Sequence, residues 1–355
     1  MKQKISIALV LAMMLALLAG CTGTTVVYSP VIESTTPAET DAPTAAPASG
    51  AVKTGLAIIP SISDSVSASA DAEGEIKYDI TLAAVTVTDD GVIESCIIDS
   101  VPASVKFDAA GKITSDLSAP ISTKNELGEA YGMKAYGGAK YEWNEQVAAL
   151  AAYAQGKTVE QLRSGAITEA GMAADADLAS TATIYLGGFV SAIESAVANA
   201  AHLGAQSGDV LKLASISSTA KSTPADGETK GLAQLDTDVT AMTMNGDTIT
   251  SCYIDSLQGK AEFDAAGAIT TDLTAPLLTK NQLGEDYGMK AWGSAIAEWN
   301  EQAASFAAYV TGKTPADVAG IAVNEKTAPT DADLATSVTI AVGGFQALIA
   351  KAAGN

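Results

Sequence analysis

The sequence predicts an α+β fold made twice: two tandem homologous domains, each a small antiparallel sheet packed by C-terminal helices. Three observations carry this. Cys96 and Cys252 lie 156 residues apart, and that offset holds without a gap from about Ser95 to Val197, with about half of the positions identical. Each copy opens on β-branched, apolar runs that end in tight-turn pairs, and each continues into segments of helical period. A period of this length is domain-sized, so the copies are tandem domains and not solenoid units. Strands first and helices afterwards indicate an antiparallel sheet covered by helices.

In chain order, Ile80 to Thr88 and Val239 to Met244 read as strands. Asp90-Gly91 and Asn245-Gly246 then signal hairpins, and Val92 to Ile98 and Thr248 to Ile254 are the returning strands. A further strand pair is expected around Ser104 to Phe107 and Ile113 to Leu117, closed by an Ala-Ala-Gly turn. Trp143, Val147, Leu150 and Ala154 share one helical face, as do Trp299, Ala303, Phe306 and Val310, and Gly156 and Gly312 stop these helices. Thr158 with Gln161 forms a capping box, and Thr314-Pro315 starts the matching helix with proline at its first site. Final helices are expected from about Phe189 to His202 and from Phe345 to Ala353.

The N-terminus is an address. Lys2 and Lys4 precede an apolar run, Ile5 to Leu17, that is too short to span a bilayer comfortably, and Leu18-Ala19-Gly20-Cys21 follows. The pattern is a lipoprotein export signal over residues 1–20. Its expected processing places diacylglycerol on Cys21 and leaves that cysteine as the N-terminus, a lipid anchor on the extracytoplasmic face of a cell membrane. Residues 21–50, rich in Thr, Ser, Pro and Ala, read as a disordered tether. The two domains then occupy residues 51–205 and 206–355.

Composition narrows the function. Removing residues 1–20, which hold two lysines and no acid, takes the formal charge from -21 to -23. So acidic a surface repels nucleic acid and anionic headgroups and favours cations or basic partners. With Cys96, Cys252 and one histidine, His202, left in the body, Cys/His zinc sites, haem-attaching motifs and a histidine triad in each repeat are excluded. The two cysteines read as buried apolar thiols, with a redox thiol as the alternative.

Four patterns recur in both copies. Asp175-Ala176-Asp177 and Asp331-Ala332-Asp333 read as turn and helix-entry carboxylates, with cation ligation as the alternative. Trp143 and Trp299, with Tyr131 and Tyr287, read as core anchors or as platforms for a planar ligand. Glycines flank each tyrosine in the loops Leu127 to Met133 and Leu283 to Met289, which calls for close backbone approach to a ligand or to a neighbouring strand. Last, Asp177-Leu178-Ala179-Ser180-Thr181-Ala182-Thr183 and Asp333-Leu334-Ala335-Thr336-Ser337-Val338-Thr339 each precede Gly-Gly and a helix. Hydroxyls there can hold a phosphate at a helix N-terminus or simply cap it.

At this last motif the chain resembles the FMN-binding domain family, whose members attach FMN through a phosphoester to the final Thr of Asp-x-x-Ser-Gly-Ala-Thr. Asp177, Ser180, Ala182 and Thr183 match in the first copy; Asp333 and Thr339 match in the second, where Thr336 replaces Ser. Thr181 and Ser337 stand where the family has Gly. The wider layout is similar to the pheromone-precursor, FMN-binding lipoproteins of Gram-positive bacteria, in which the signal-peptide tail, here Met13 to Gly20, can be released as an octapeptide. The resemblance implies FMN as cofactor, Thr183 and Thr339 holding the phosphate, and Tyr131, Tyr287, Trp143 and Trp299 packing the ring. It also implies a membrane electron donor and a soluble acceptor, and an electron carrier more than a stand-alone enzyme. A surface-anchored ligand-binding or interaction module without flavin is the other reading.

Overall fold

The computed structural model describes residues 50–354, so the export signal, Cys21 and most of the tether lie outside the described residues. The described residues form one compact unit. Within it each repeat has a three-stranded antiparallel sheet followed by helices. In repeat 1 the strands are β1 (Lys53–Ser61), β2 (Gly74–Val87) and β3 (Ile93–Phe107); after short helical turns at Lys124–Leu127, Gly128–Tyr131 and Met133–Gly137 come the helices α1 (Trp143–Ala154), α2 (Val159–Ala166), α3 (Ala176–Thr181) and α4 (Gly187–Ala198). Repeat 2 matches them with β4 (Val210–Ser218), β5 (Gly231–Asn245), β6 (Thr248–Phe263), α5 (Trp299–Val310), α6 (Pro315–Ala319), α7 (Ala332–Ala335) and α8 (Gly343–Gly354). Among the described residues no helix is long and apolar enough to cross a membrane.

Strand alternation explains the layering. Along β2, Ile76, Tyr78, Ile80, Leu82 and Ala84 point to one face, whereas Ala83, Val85 and Val87 point to the other. The first set meets Leu235, Val239, Leu257 and Phe263 of repeat 2 in a single shared core. The second set is covered by α1 and α4 of its own repeat through Trp143, Val147, Leu150 and Ile193. Repeat 2 does the same with Met242, Met244, Trp299, Phe306 and Leu348. Helices, sheet, sheet and helices thus stack in layers, and each sheet is buried on both faces.

The helix caps follow the sequence closely. Thr158 accepts from the Gln161 N–H while Gln161 reaches back to the Thr158 N–H at 3.0 Å, and Thr314 pairs with Asp317 in the same way ahead of Pro315. The final helices end at Ala198 and Gly354, close to expectation. One expectation is corrected. Ser104 to Phe107 is the end of β3, and Ile113 makes only an isolated bridge to Phe107, so no strand forms over Ile113 to Leu117. The Asp108 carboxylate takes the N–H groups of Ala110 and Lys112, and Asp116 takes that of Ser118, so two successive side-chain turns carry the chain away from the sheet. The third strand of each sheet is instead β1 or β4, which pairs with the far side of the central strand β2 or β5.

Candidate functional site

Each repeat gathers its repeated residues where the first long helix meets the segment ahead of the last. Gln146 on α1 is fully buried, and its amide nitrogen donates to the Tyr141 carbonyl at 3.0 Å. Its oxygen Oε1 accepts three donors: the Thr183 N–H at 2.8 Å, the Thr183 hydroxyl at 3.2 Å and the Ile184 N–H at 3.2 Å. Repeat 2 reproduces the set, with Gln302 Oε1 accepting from the Thr339 N–H at 2.8 Å, its hydroxyl at 3.1 Å and the Ile340 N–H at 3.2 Å. Thr183 and Thr339 are exposed, so each presents an oxygen to solvent in a fixed rotamer. Just beyond Thr183, α4 begins at Gly187-Gly188 with Leu186 as N-cap and no side-chain cap. That leaves its first amides directed at the space ahead of the helix.

The neighbouring motif residues take structural roles. Asp175 caps α3 by accepting from Asp177 and Leu178 N–H, each at 3.0 Å, and Asp331 caps α7 in the same way. Ser180 and Thr336 donate their hydroxyls to the Asp177 and Asp333 carbonyls at 2.7 Å, so these hydroxyls turn back on their own turns. The Asp177 and Asp333 side chains are exposed in the first turns of those helices.

The four aromatic candidates divide. Trp143 and Trp299 are only 4% and 6% exposed, and each meets a phenylalanine edge-on, Phe189 at 5.6 Å and Phe345 at 5.9 Å. They belong to the helical cores. Tyr131 is at the surface and Tyr287 half-buried. A lysine ties each pair together: Lys124 Nζ lies 5.3 Å from the Tyr131 ring centre and 5.1 Å from that of Trp143, and Lys280 lies 5.2 Å from Tyr287 and 4.7 Å from Trp299. Both are cation–π contacts of a charge held between a buried indole and a more exposed phenol ring.

At the second glycine of each flanking pair the close approach is to an aromatic side chain of the following turn. Gly132 and Gly288 adopt φ of 84° and 81°, and a Cβ there would lie 2.5 Å from the Tyr136 ring and 2.4 Å from that of Trp292. Tyr136 and Trp292 occupy equivalent places and are 91% and 90% exposed. The loop is held from below by a buried carboxylate. Glu142 accepts from the Met133 and Lys134 N–H groups at 2.8 and 3.0 Å, and Glu298 does the same for Met289 and Lys290.

Gln146, Gln302, Lys124, Lys280, Glu142, Glu298 and the exposed pair Tyr136 and Trp292 were not singled out from the sequence. The signal was there: apart from the Tyr136/Trp292 exchange, each is identical in the two copies. Cys96 and Cys252 are free and buried, and burial pushes both thiols up to about 12, so neither is poised to ionise. In comparisons with known proteins, no family model, no curated protein and no solved structure matched the chain.

Proposed function

We propose that the protein is a lipid-anchored, extracytoplasmic flavoprotein that carries electrons from a membrane donor to a soluble acceptor, with FMN held at Thr183 and Thr339. The observation that carries this reading is the Thr–Gln unit, repeated with the same three hydrogen bonds in both copies. An exposed hydroxyl in a fixed rotamer, ahead of an uncapped glycine-led helix, suits a phosphoester and its negative charge. Bound flavin would supply the electron-transfer chemistry. The chain positions it: Gln146 and Gln302 orient the threonines, and Tyr131 and Tyr287 offer ring surface beside Lys124 and Lys280. No base stands against either threonine hydroxyl, since the neutral amide of Gln can accept a hydrogen bond but not retain the proton. Attachment therefore needs a separate transferase. Burial of Trp143 and Trp299, and Thr181 and Ser337 in the family's glycine position, favour the second reading, a surface-anchored ligand-binding or interaction lipoprotein without flavin.

Co-production with a flavin transferase, denaturation and in-gel fluorescence separates the two. Fluorescence should remain with the chain, and Thr183→Ala and Thr339→Ala should each remove about half of it. Full signal in the double variant would remove both threonines from the assignment. A chain without retained or dialysable FMN would leave the binding-module reading.

A further inference from the structure

A second cavity lies away from the threonines. It has a volume of about 540 Å³ and sits between β6, the outer flank of α5 and the segment joining the repeats at His202 and Leu203. Ile254, Ala304, Ala307 and Ala308 give it apolar walls, and Asn281 and Asn300 also line it. The oxygen Oδ1 of each asparagine is buried and accepts no hydrogen bond, although Asn281 Nδ2 is engaged with the Ile254 carbonyl at 3.0 Å. Buried acceptors without donors carry a desolvation cost that an incoming donor relieves.

We propose that this cavity binds a small, uncharged, planar heterocycle presenting N–H donors, of the lactam or ureide kind. Two buried amide oxygens without donors select N–H groups, and the alanine flank of α5 leaves a flat slot. A metal cation fits poorly, because no carboxylate lines the cavity and hard cations collect six or more oxygens. The site is also distinct from the threonine centre. Gln302 is two residues from both Asn300 and Ala304, hence about 200° round α5 from each, on the opposite flank.

The set belongs to repeat 2. Asn144, the counterpart of Asn300, shares the unpaired oxygen, but Ile97 replaces Tyr253 and Gln155 replaces Thr311. Asn125, the counterpart of Asn281, lines a different cavity against β4.

Calorimetric titration of the full chain with uracil and with 1,3-dimethyluracil, which keeps the shape and lacks both N–H groups, tests the site. Uracil should bind saturably at one site, and the dimethyl compound about tenfold or more weakly, the loss expected when buried acceptors stay unpaired. Asn300→Leu should weaken uracil by a similar factor, and Ala304→Phe should block it by filling the slot, with thermal unfolding confirming that both variants fold. Asn144→Leu should leave binding unchanged. Equal binding of the two compounds, no saturation with uracil, or full binding by Asn300→Leu and Ala304→Phe would each overturn the proposal. The Thr183→Ala/Thr339→Ala double variant should bind uracil normally, so loss of flavin and loss of this site are read separately.

Discussion

Phe107 and Phe263, the last residues of β3 and β6, stack face to face with ring centres 4.0 Å apart and planes 6° from parallel. They are equivalent residues of the two repeats, so the stack marks the local axis that relates them. The surroundings are reciprocal as well. The Ala68 N–H donates to the Gly267 carbonyl at 2.8 Å, and the Ala225 N–H to that of Gly111 at 2.9 Å. A Cβ on Gly74 or Gly231 would lie 2.4 or 2.3 Å from the phenylalanine of its own repeat, which explains glycine at the start of β2 and β5. The two sheets are therefore completed by each other.

This sets the first expectation. Phe107→Ala and Phe263→Ala should each destabilise by about 3–5 kcal/mol through loss of burial and a residual cavity. Because both remove the same contact, the double variant should lose less than the sum. Denaturant unfolding followed by helical and aromatic signals should give one coincident transition for both repeats; two separated transitions would mean that the shared core does not couple them.

Tyr78 provides a second coupling between repeats. Its buried hydroxyl donates to the Ala233 carbonyl at 2.9 Å and lies 3.3 Å from that of Gly259. Tyr78→Phe should cost about 1–2 kcal/mol, because the ring still packs while the carbonyls lose a donor. Gly259→Ala should cost more, since its Cβ would lie 2.9 Å from the Tyr78 ring in a core without room to yield. Melting of the two variants side by side checks the order.

The sequence made the helices and their caps legible because those signals are local: Thr158 with Gln161, Thr314 before Pro315, and the Trp143 to Ala154 stripe need nothing from the rest of the chain. Strands β1 and β4 were not legible in the same way. Gly55 and Pro60 interrupt β1, and Gly55 is required because a Cβ would lie 2.0 Å from the Ala196 carbonyl oxygen of α4, a contact that exists only in the folded protein. The shared core also escaped, since the alternation of Ile76 to Ala84 identifies an apolar face without naming its partner. At the candidate site, Thr183 and Thr339 stood out by motif, but Gln146 and Gln302 were hidden inside a recurring Glu-Trp-Asn-Glu-Gln run in which only the helix register separates the buried amide from its neighbours.

The buried carboxylate Asp255 makes a pH-dependent contribution. Burial raises it from 3.8 to about 6, partly opposed by bonds from Thr279, Asn281 and Ser256. A raised folded value means that the native state holds the proton more tightly than the unfolded chain. The stability this group adds is therefore complete below about pH 4 and is lost as pH rises through about 6, on the order of 2–3 kcal/mol. Asp255→Asn keeps an oxygen for the Ser256 and Asn281 N–H groups at 2.7 and 3.1 Å. The difference in unfolding free energy between variant and parent should move in favour of the variant from pH 4 to 6 and flatten above it; a constant difference would assign the carboxyl an ordinary value.

Replacing the glutamine separates holding from chemistry at the threonine centre. Gln146→Leu deprives the Thr183 and Ile184 N–H groups of their acceptor, and leaving these backbone donors unpaired should cost about 2–4 kcal/mol. Gln146→Glu keeps an acceptor for all three donors and gives up the bonds to the Tyr141 carbonyl and the Met133 sulfur, so it should recover part of that loss. It also places a negative charge beside Thr183, where a phosphoester would be repelled. Flavin retention should then fall in both variants of repeat 1 while stability falls mainly in Gln146→Leu, and repeat 2 should keep its half of the fluorescence. Retention tracking stability alone would reduce the glutamine to a structural clamp, whereas retention lost in a well-folded Gln146→Glu would show that the centre must stay electrically neutral around the threonine oxygen.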